Sequence, residues 1–187
     1  MTRPPDDYQA KYMQEGTASL YYDKITAPLF YHLIFLLPLV AVVASALVTS
    51  APALVPLLSV IPVALVWLLF STLRISVNSR QVHVQYGLFG PKVPIVAIST
   101  CEAIDYDWKA YGGFGIRFGR DGSVAYNMLG DQGRAVQITY QDGKKQRRLL
   151  LSSRDPERLA TAINHARAMA LPPVEEEAAA AQEARRG

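Results

Sequence analysis

The chain has 187 residues, of which 50% are hydrophobic and 19% are charged, and its formal net charge is +3. The apolar residues are concentrated in residues 25–73, which contain no Asp, Glu, Lys or Arg, so the remaining length leaves room for one water-exposed domain. The single cysteine, Cys101, excludes an internal disulfide scaffold and fits a reducing cytoplasm.

Residues 1–24 precede the apolar interval and are polar with few aliphatic side chains. We expect them to form an N-terminal cytoplasmic segment that is loosely ordered over residues 1–20.

The charge-free interval is long enough to cross a bilayer twice, because about 20 apolar residues suffice for one helical crossing. It predicts an integral membrane protein with two transmembrane helices, at about residues 28–50 and 53–73, joined as a tight hairpin. Lys24 and Arg74 flank the outer ends, whereas the connecting turn carries no basic residue. The positive-inside rule therefore predicts that both termini and the following domain are cytoplasmic.

Two alternatives compete with the hairpin. A signal peptide cleaved near Ala44-Ser45-Ala46 is disfavoured by the long acidic segment before it and by the length of the apolar run. Two helices buried in a soluble bundle would need polar faces, which the interval lacks. His32, near the start of the first span, is typical of an interfacial residue rather than of a proton relay.

Alternating apolar and polar residues after the spans predict a series of short strands. In chain order these strands are residues 73–77, 82–86, 92–96, 98–106, 124–128, 135–140 and 146–151. Pro94 marks the third of them as an edge or bulged element. The Asp142-Gly143 pair predicts a hairpin turn between the last two.

Glycines alternate with aromatic residues in YGGFGIRFG, residues 111–119. The spacing differs from the dinucleotide-binding fingerprint, and no helix is expected after it. We therefore interpret it as a glycine-rich loop entering a strand, where glycine permits a bulge or a close backbone approach, rather than as a phosphate cradle.

A helix is predicted to begin near Pro156, with Ser153 or Asp155 as its N-cap, and to run to about residue 170. Its apolar side chains share one face at helical spacing. Residues 171–187 follow a Pro-Pro pair and lack an apolar face, which predicts a flexible tail.

Taken together, the membrane hairpin, LRISVNSRQVHVQYG, PKVPIVAIS, YGGFGIRFG with VAYNMLG, and RDPERLATAI resemble bacterial membrane-anchored proteins that carry a pleckstrin-homology-like domain. The resemblance covers residues 73–170. It implies that residues 74–170 form a bent antiparallel sheet, or partly open barrel, of about seven strands with a C-terminal α-helix. It also implies a bacterial cytoplasmic (inner) membrane protein, in a group where most relatives have no assigned catalytic chemistry.

No catalytic constellation is visible in the sequence. The three histidines, at positions 32, 83 and 165, form no metal-binding motif, and no nucleophile is paired with a base. A nucleic-acid recognition helix or stacking motif is also missing. We therefore expect neither an enzyme nor a cofactor, a metal site or nucleic-acid binding.

The sequence favours a protein-interaction module, an accessory or scaffold subunit that binds a membrane-protein partner or a second copy of itself. The candidate partner surface comprises Phe89, Trp108, Phe114 and Arg117.

The alternative is a module that responds to anionic lipids through Lys144, Lys145, Arg147 and Arg148. Each basic group near an anionic leaflet contributes about 1 kcal/mol. The same charges equally fit a solvated edge strand, where Lys and Arg discourage edge-to-edge pairing. Specific headgroup recognition is not expected, because the loop used by phosphoinositide-binding relatives holds Arg80 alone.

Overall fold

The computed structural model describes residues 9–13, 18–49, 52, 54–131 and 133–170. These residues form a mixed helix and β architecture with two sheets and a C-terminal helix. The predicted tail, residues 171–187, lies outside the described residues. So do residues 50 and 51 of the predicted turn between the spans, and residue 53, the first of the second predicted span.

The strands are β1 (Ser19–Thr26), β2 (Thr72–Asn78), β3 (Gln81–Tyr86), β4 (Lys92–Pro94), β5 (Ile98–Asp105), β6 (Gly115–Phe118), β7 (Val124–Asn127), β8 (Arg134–Asp142) and β9 (Lys145–Ser152). The α-helices are α1 (Leu29–Val48), α2 (Leu54–Leu69) and α3 (Pro156–Ala170). Single helical turns are found at Gln9–Met13, Ile95–Ala97 and Trp108–Tyr111.

The first sheet has the order β1-β2-β3-β4, with every neighbouring pair antiparallel. Strand β1 was not predicted from the sequence, and it corrects the expectation of loose order at residues 19 and 20. Its end meets the start of β2, with Thr26 opposite Thr72 and Ile25 opposite Leu73. The apolar helices therefore leave the sheet from one strand and return to it through the neighbouring strand.

The N-terminal turn Gln9–Met13 packs against β2 on the outer side of the first sheet. Met13 is fully buried, and Ser76, on the outward face of β2, is also buried. These five residues likewise depart from the expected loose order, because burial of the apolar Met13 side chain favours an ordered contact with the sheet.

The second sheet has the order β5-β8-β9-β7-β6. Its neighbours are antiparallel except for β7 and β9, which run parallel. This is a correction to the expected single antiparallel sheet of about seven strands: nine strands divide between two sheets, and no barrel is closed within the described residues. The glycine-aromatic stretch forms the edge strand β6, as its interpretation as a strand entry predicts.

Helix α3 packs against β5 and β8 and also contacts both β1 and β2 of the first sheet. Its predicted apolar face is confirmed, since Leu159, Ile163 and Ala166 are all fully buried. The predicted start is confirmed as well: the Asp155 carboxylate accepts the backbone N–H of Arg158 at 3.2 Å, as an N-cap does.

Helix α1 is long and apolar enough to cross a membrane, and none of its residues is buried. Helix α2 has 16 residues and packs antiparallel to α1. The second predicted span, residues 53–73, was therefore too long at its end, because Thr72 and Leu73 belong to β2. Backbone pairing with β1 takes these two residues out of the helical pattern.

Candidate functional site

An open-sided cavity of about 410 Å³ lies where the two apolar helices meet the second sheet. Residues from the helices, from β3, from the glycine-aromatic stretch and from the loop after β7 all contribute to its wall. They are Tyr31, Phe35, Val66, Phe70, Tyr86, Phe114, Gly115, Ile116, Arg117, Met128 and Leu129.

One glycine lets the backbone approach closely at this junction, and a second lies at ordinary contact distance from Phe70. Gly87, directly after β3, has φ +61°, and a Cβ atom there would lie 2.2 Å from the carbonyl oxygen of Leu69 in α2. Gly115 opens β6 at φ +106°, and a Cβ atom there would lie 3.9 Å from the Phe70 ring. Because glycine adopts positive φ without steric cost, the end of α2 can rest on the sheet domain.

Three of the four predicted partner residues are brought together beside the cavity. The rings of Trp108 and Phe114 stack with their centroids 4.6 Å apart. Arg117 Nε donates to the carbonyl oxygen of Phe114 at 3.0 Å, which holds the guanidinium over the same loop. The fourth residue, Phe89, lies in the turn between β3 and β4 with its side chain exposed, and it does not line the cavity.

Most of the described residues that line the cavity are apolar, and Arg117 is the one charged side chain among them. The hydroxyl of Tyr86 donates to Met128 Sδ at 3.4 Å, and burial raises the pKa of Tyr86. The Tyr31 hydroxyl donates to the backbone oxygen of Trp67 at 3.3 Å. Arg117 is exposed and forms no ion pair with any described residue. The wall thus offers apolar surface and a single guanidinium.

Sequence reasoning missed the helix contribution to this site. Tyr31, Phe35, Val66 and Phe70 look like ordinary apolar or interfacial residues of a membrane span. No local signal relates them to Phe114, which lies more than forty residues further along the chain. Only the return of the chain from α2 into β2 places them against β6.

The four basic residues of the proposed lipid contact lie around the turn between β8 and β9. Arg147 pairs with Asp142 at 2.7 Å, and Arg148 pairs with Asp121 at 3.0 Å. Lys144 and Lys145 are exposed in the turn and at the start of β9. Two of the four charges are therefore already neutralised by local carboxylates.

This basic hairpin lies at the end of the second sheet remote from the helices. The opposite end of β9, Ser152, accepts the backbone N–H of Met128, a residue of the cavity wall, at 3.1 Å. Seven residues of extended strand separate the hairpin from that end, or about 23 Å at 3.3 Å per residue. The anionic-lipid contact stays a prediction, and this placement does not favour it.

A buried polar cluster supports the loop that forms one cavity wall. The Asp131 carboxylate accepts hydrogen bonds from the hydroxyls of Tyr106 and Ser152, and from the backbone N–H of Gly133 at 3.0 Å. Burial and the neighbouring Asp131 raise the pKa of Tyr106. With its oxygens occupied in this way, the carboxylate serves the loop conformation rather than acid–base chemistry.

The described residues also include the cysteine and several potential metal ligands. Burial raises the pKa of Cys101 to about 12, which keeps its thiol protonated and unreactive. Among the described residues, no group of three or more His, Cys, Asp or Glu could hold a metal ion.

Comparison of the chain with family models, with curated proteins and with solved structures finds no match. The case for a function therefore rests on the cavity, on the aromatic stack beside it and on the exposed apolar helices.

Proposed function

We propose that this chain is a non-catalytic, membrane-anchored interaction module. In this proposal α1 and α2 cross the bilayer as a hairpin, and the two-sheet domain lies at the cytoplasmic face. There it acts as an accessory or scaffold subunit that binds a membrane-protein partner. The resemblance to bacterial pleckstrin-homology-like domains, and with it the bacterial inner membrane, belongs to the same proposal; two sheets closed by a C-terminal helix support it.

The exposed apolar surface of the helices supports the membrane anchor. Leu29 and Leu47 in α1 are 74% and 77% exposed, and Leu68 in α2 is 66% exposed. Soluble monomers rarely expose contiguous apolar patches of this kind. Helix α2 spans about 24 Å at 1.5 Å per residue, and a mismatch of a few ångströms with the hydrocarbon core costs only fractions of a kcal/mol per Å.

One observation carries the interaction role. Phe114 and Arg117, two of the predicted partner residues, line the same cavity as Phe35 and Val66 of the exposed helices. A partner surface at this position lies within reach of another membrane protein. Aromatic residues and arginine are also the types that dominate binding energy at protein interfaces.

The anchor is tested by extracting membranes with alkaline carbonate. A chain that crosses the bilayer stays in the pellet, and release of the chain into the supernatant would overturn the anchor.

The interaction is tested by purifying the full-length protein in mild detergent and identifying what co-purifies in stoichiometric amount. We expect a membrane protein that is lost from the Trp108→Ala/Phe114→Ala variant. Phe118→Ala is the matched control, because Phe118 lies four residues after Phe114, at the end of β6, with an exposed ring that is outside the stack and the cavity. Association that survives the double substitution would contradict the surface assignment.

A further inference from the structure

We propose that the cavity holds one acyl chain of an anionic phospholipid from the adjacent leaflet, with the lipid phosphate on Arg117. This inference rests on the membrane anchoring in the proposed function and adds a ligand to the site beside the aromatic stack. The depth of the cavity, the chemistry of its wall and the free donors of its one cation each support it.

The cavity lies at the depth where a phospholipid changes from headgroup to acyl chain. Tyr31 in the first turn of α1 and Phe70 just after α2 mark its outer level. Phe35, four residues beyond Tyr31 in α1, lies about 6 Å deeper at 1.5 Å per residue. Trp67 lies beside Tyr31, and such aromatic residues gather at membrane interfaces. Val66 of the cavity wall is itself exposed on α2, so the wall includes a side chain that the proposed function places in contact with lipid.

The wall suits a hydrocarbon chain rather than a polar ligand. Phe35, Val66 and Ile116 contribute apolar side chains from three different elements. The two tyrosine hydroxyls of the wall already donate to Met128 and to the backbone of Trp67. A volume of about 410 Å³ falls within the usual range of small-ligand sites.

Arg117 supplies the complement to a phosphate at the rim. Its Nε atom donates to Phe114, which fixes the orientation of the guanidinium plane. Its terminal NH₂ groups bind no described side chain, and no described carboxylate pairs with it. A guanidinium with two parallel free donors suits bidentate contact with a phosphate.

The test is native mass spectrometry of the full-length protein in mild detergent. Delipidated protein is titrated with phosphatidylglycerol and with phosphatidylcholine of the same acyl chains. We expect one phosphatidylglycerol per chain, bound about tenfold more tightly than phosphatidylcholine, as one charge-assisted contact would give. Equal affinity for the two lipids, which share the phosphate and differ in net charge, would overturn the preference for an anionic lipid. Undiminished phosphatidylglycerol binding by Arg117→Gln would overturn the phosphate contact.

Substitutions separate the acyl-chain contact from the charge contact. Val66→Trp fills the cavity from a half-exposed helix position and should reduce lipid binding at least about tenfold. Leu65→Trp, one residue away and outside the cavity, is the matched control and should bind as the wild type does. Arg117→Gln should remove the preference for phosphatidylglycerol, and Arg117→Lys should keep part of it. Undiminished binding by Val66→Trp would overturn the proposal.

Two further outcomes identify a different occupant. If inorganic phosphate displaces the lipid, the site is a free-anion site and the acyl-chain proposal fails. If Val66→Trp loses a protein partner while the wild type carries no lipid, a partner segment fills the cavity and the lipid proposal again fails. In both cases carbonate extraction still reports the membrane anchor, so failure of the lipid site is distinguishable from failure of the proposed function.

Discussion

Trp67 Nε1 donates a hydrogen bond of 3.0 Å to Nδ1 of His32, which joins the last turn of α2 to the first turn of α1. The two rings meet edge to face with their centroids 5.9 Å apart. The neighbouring Tyr31 hydroxyl contacts the backbone of the same tryptophan. These contacts join the two helices next to Tyr31 and Val66 of the cavity wall, and they give His32 a structural role.

We expect the effects of Trp67→Phe and His32→Ala on the free energy of unfolding to be coupled. A double-mutant cycle should give about 0.6–1.7 kcal/mol, the range of interhelical hydrogen bonds in membranes. The measurement is the free energy of unfolding of the full chain in detergent. Leu37→Ala combined with Trp67→Phe is the control pair and should be additive, since the Leu37 side chain is exposed and makes no hydrogen bond with Trp67. Additivity of the first pair as well would contradict the assignment.

Gly87→Ala should destabilise the fold more than Gly143→Ala does. The two glycines have nearly the same backbone conformation, with φ +61° and +59°, so both variants carry the cost of a left-handed alanine, about 1–2 kcal/mol. A Cβ at Gly87 would also collide with the backbone of Leu69, whereas a Cβ at Gly143 meets nothing within 4 Å. Thermal unfolding measures the difference. Equal losses would mean that α2 does not rest on the sheet domain.

The stability of the Asp23→Asn variant relative to the wild type should increase as the pH rises. Burial raises the pKa of Asp23, although hydrogen bonds from Ser153 and from the backbone of Arg154 partly oppose it. The folded chain therefore holds this proton to higher pH than the unfolded chain does. The stability linked to the protonated carboxyl is lost as the pH rises through the folded-state pKa.

The stability of the Asp121→Asn variant relative to the wild type should instead increase as the pH falls. Hydrogen bonds from Ser123 lower the pKa of Asp121, so its stabilising contribution is present at neutral pH and is lost as the pH falls through the folded-state pKa. Thermal unfolding of both variants between about pH 3 and pH 8 covers the two windows. Parallel pH trends for the two variants would refute the burial argument.

Lys144→Glu/Lys145→Glu should leave the lipid preference of the full-length protein unchanged. The hairpin lies about 23 Å along β9 from the cavity end of the sheet, beyond a Debye length of about 8 Å at physiological ionic strength. The measurement is the phosphatidylglycerol titration, and Arg117→Gln is the comparison. A loss of lipid binding in the lysine variant would instead identify the basic hairpin as the lipid contact.

Local patterns in the sequence gave good predictions wherever the physical cause is itself local. Alternation predicted every strand from β2 onward except β6, although the strand predicted at 92–96 ends at Pro94, where a helical turn follows. Asp142-Gly143 predicted the hairpin between β8 and β9. Asp155 and Pro156 gave the start of α3. Each signal depends on neighbours within a few residues, so no knowledge of the fold is required.

The site was only half predictable. Trp108, Phe114 and Arg117 were recognisable as a cluster of interface-type residues close together in the chain, and the structure brings them together. The cavity beside them was not predictable, because three of its eleven lining residues, Tyr31, Phe35 and Val66, lie in helices that precede β2. The basic hairpin gave a charge signal, but its distance from the helices depends on how β9 lies in the sheet.

The sequence by itself determined that one quarter of the chain is a charge-free apolar interval. It also determined that alternating strands and a helix follow this interval, because the hydrophobic pattern of an element depends only on its own residues. Only the tertiary structure decided that Ser19–Thr26 is a strand, since its partner Thr72–Asn78 lies beyond the entire helix pair. The same long-range pairing fixes both helix ends to adjacent strands. It thereby places Phe35 and Val66 against Phe114 and Arg117, a juxtaposition that no local pattern encodes.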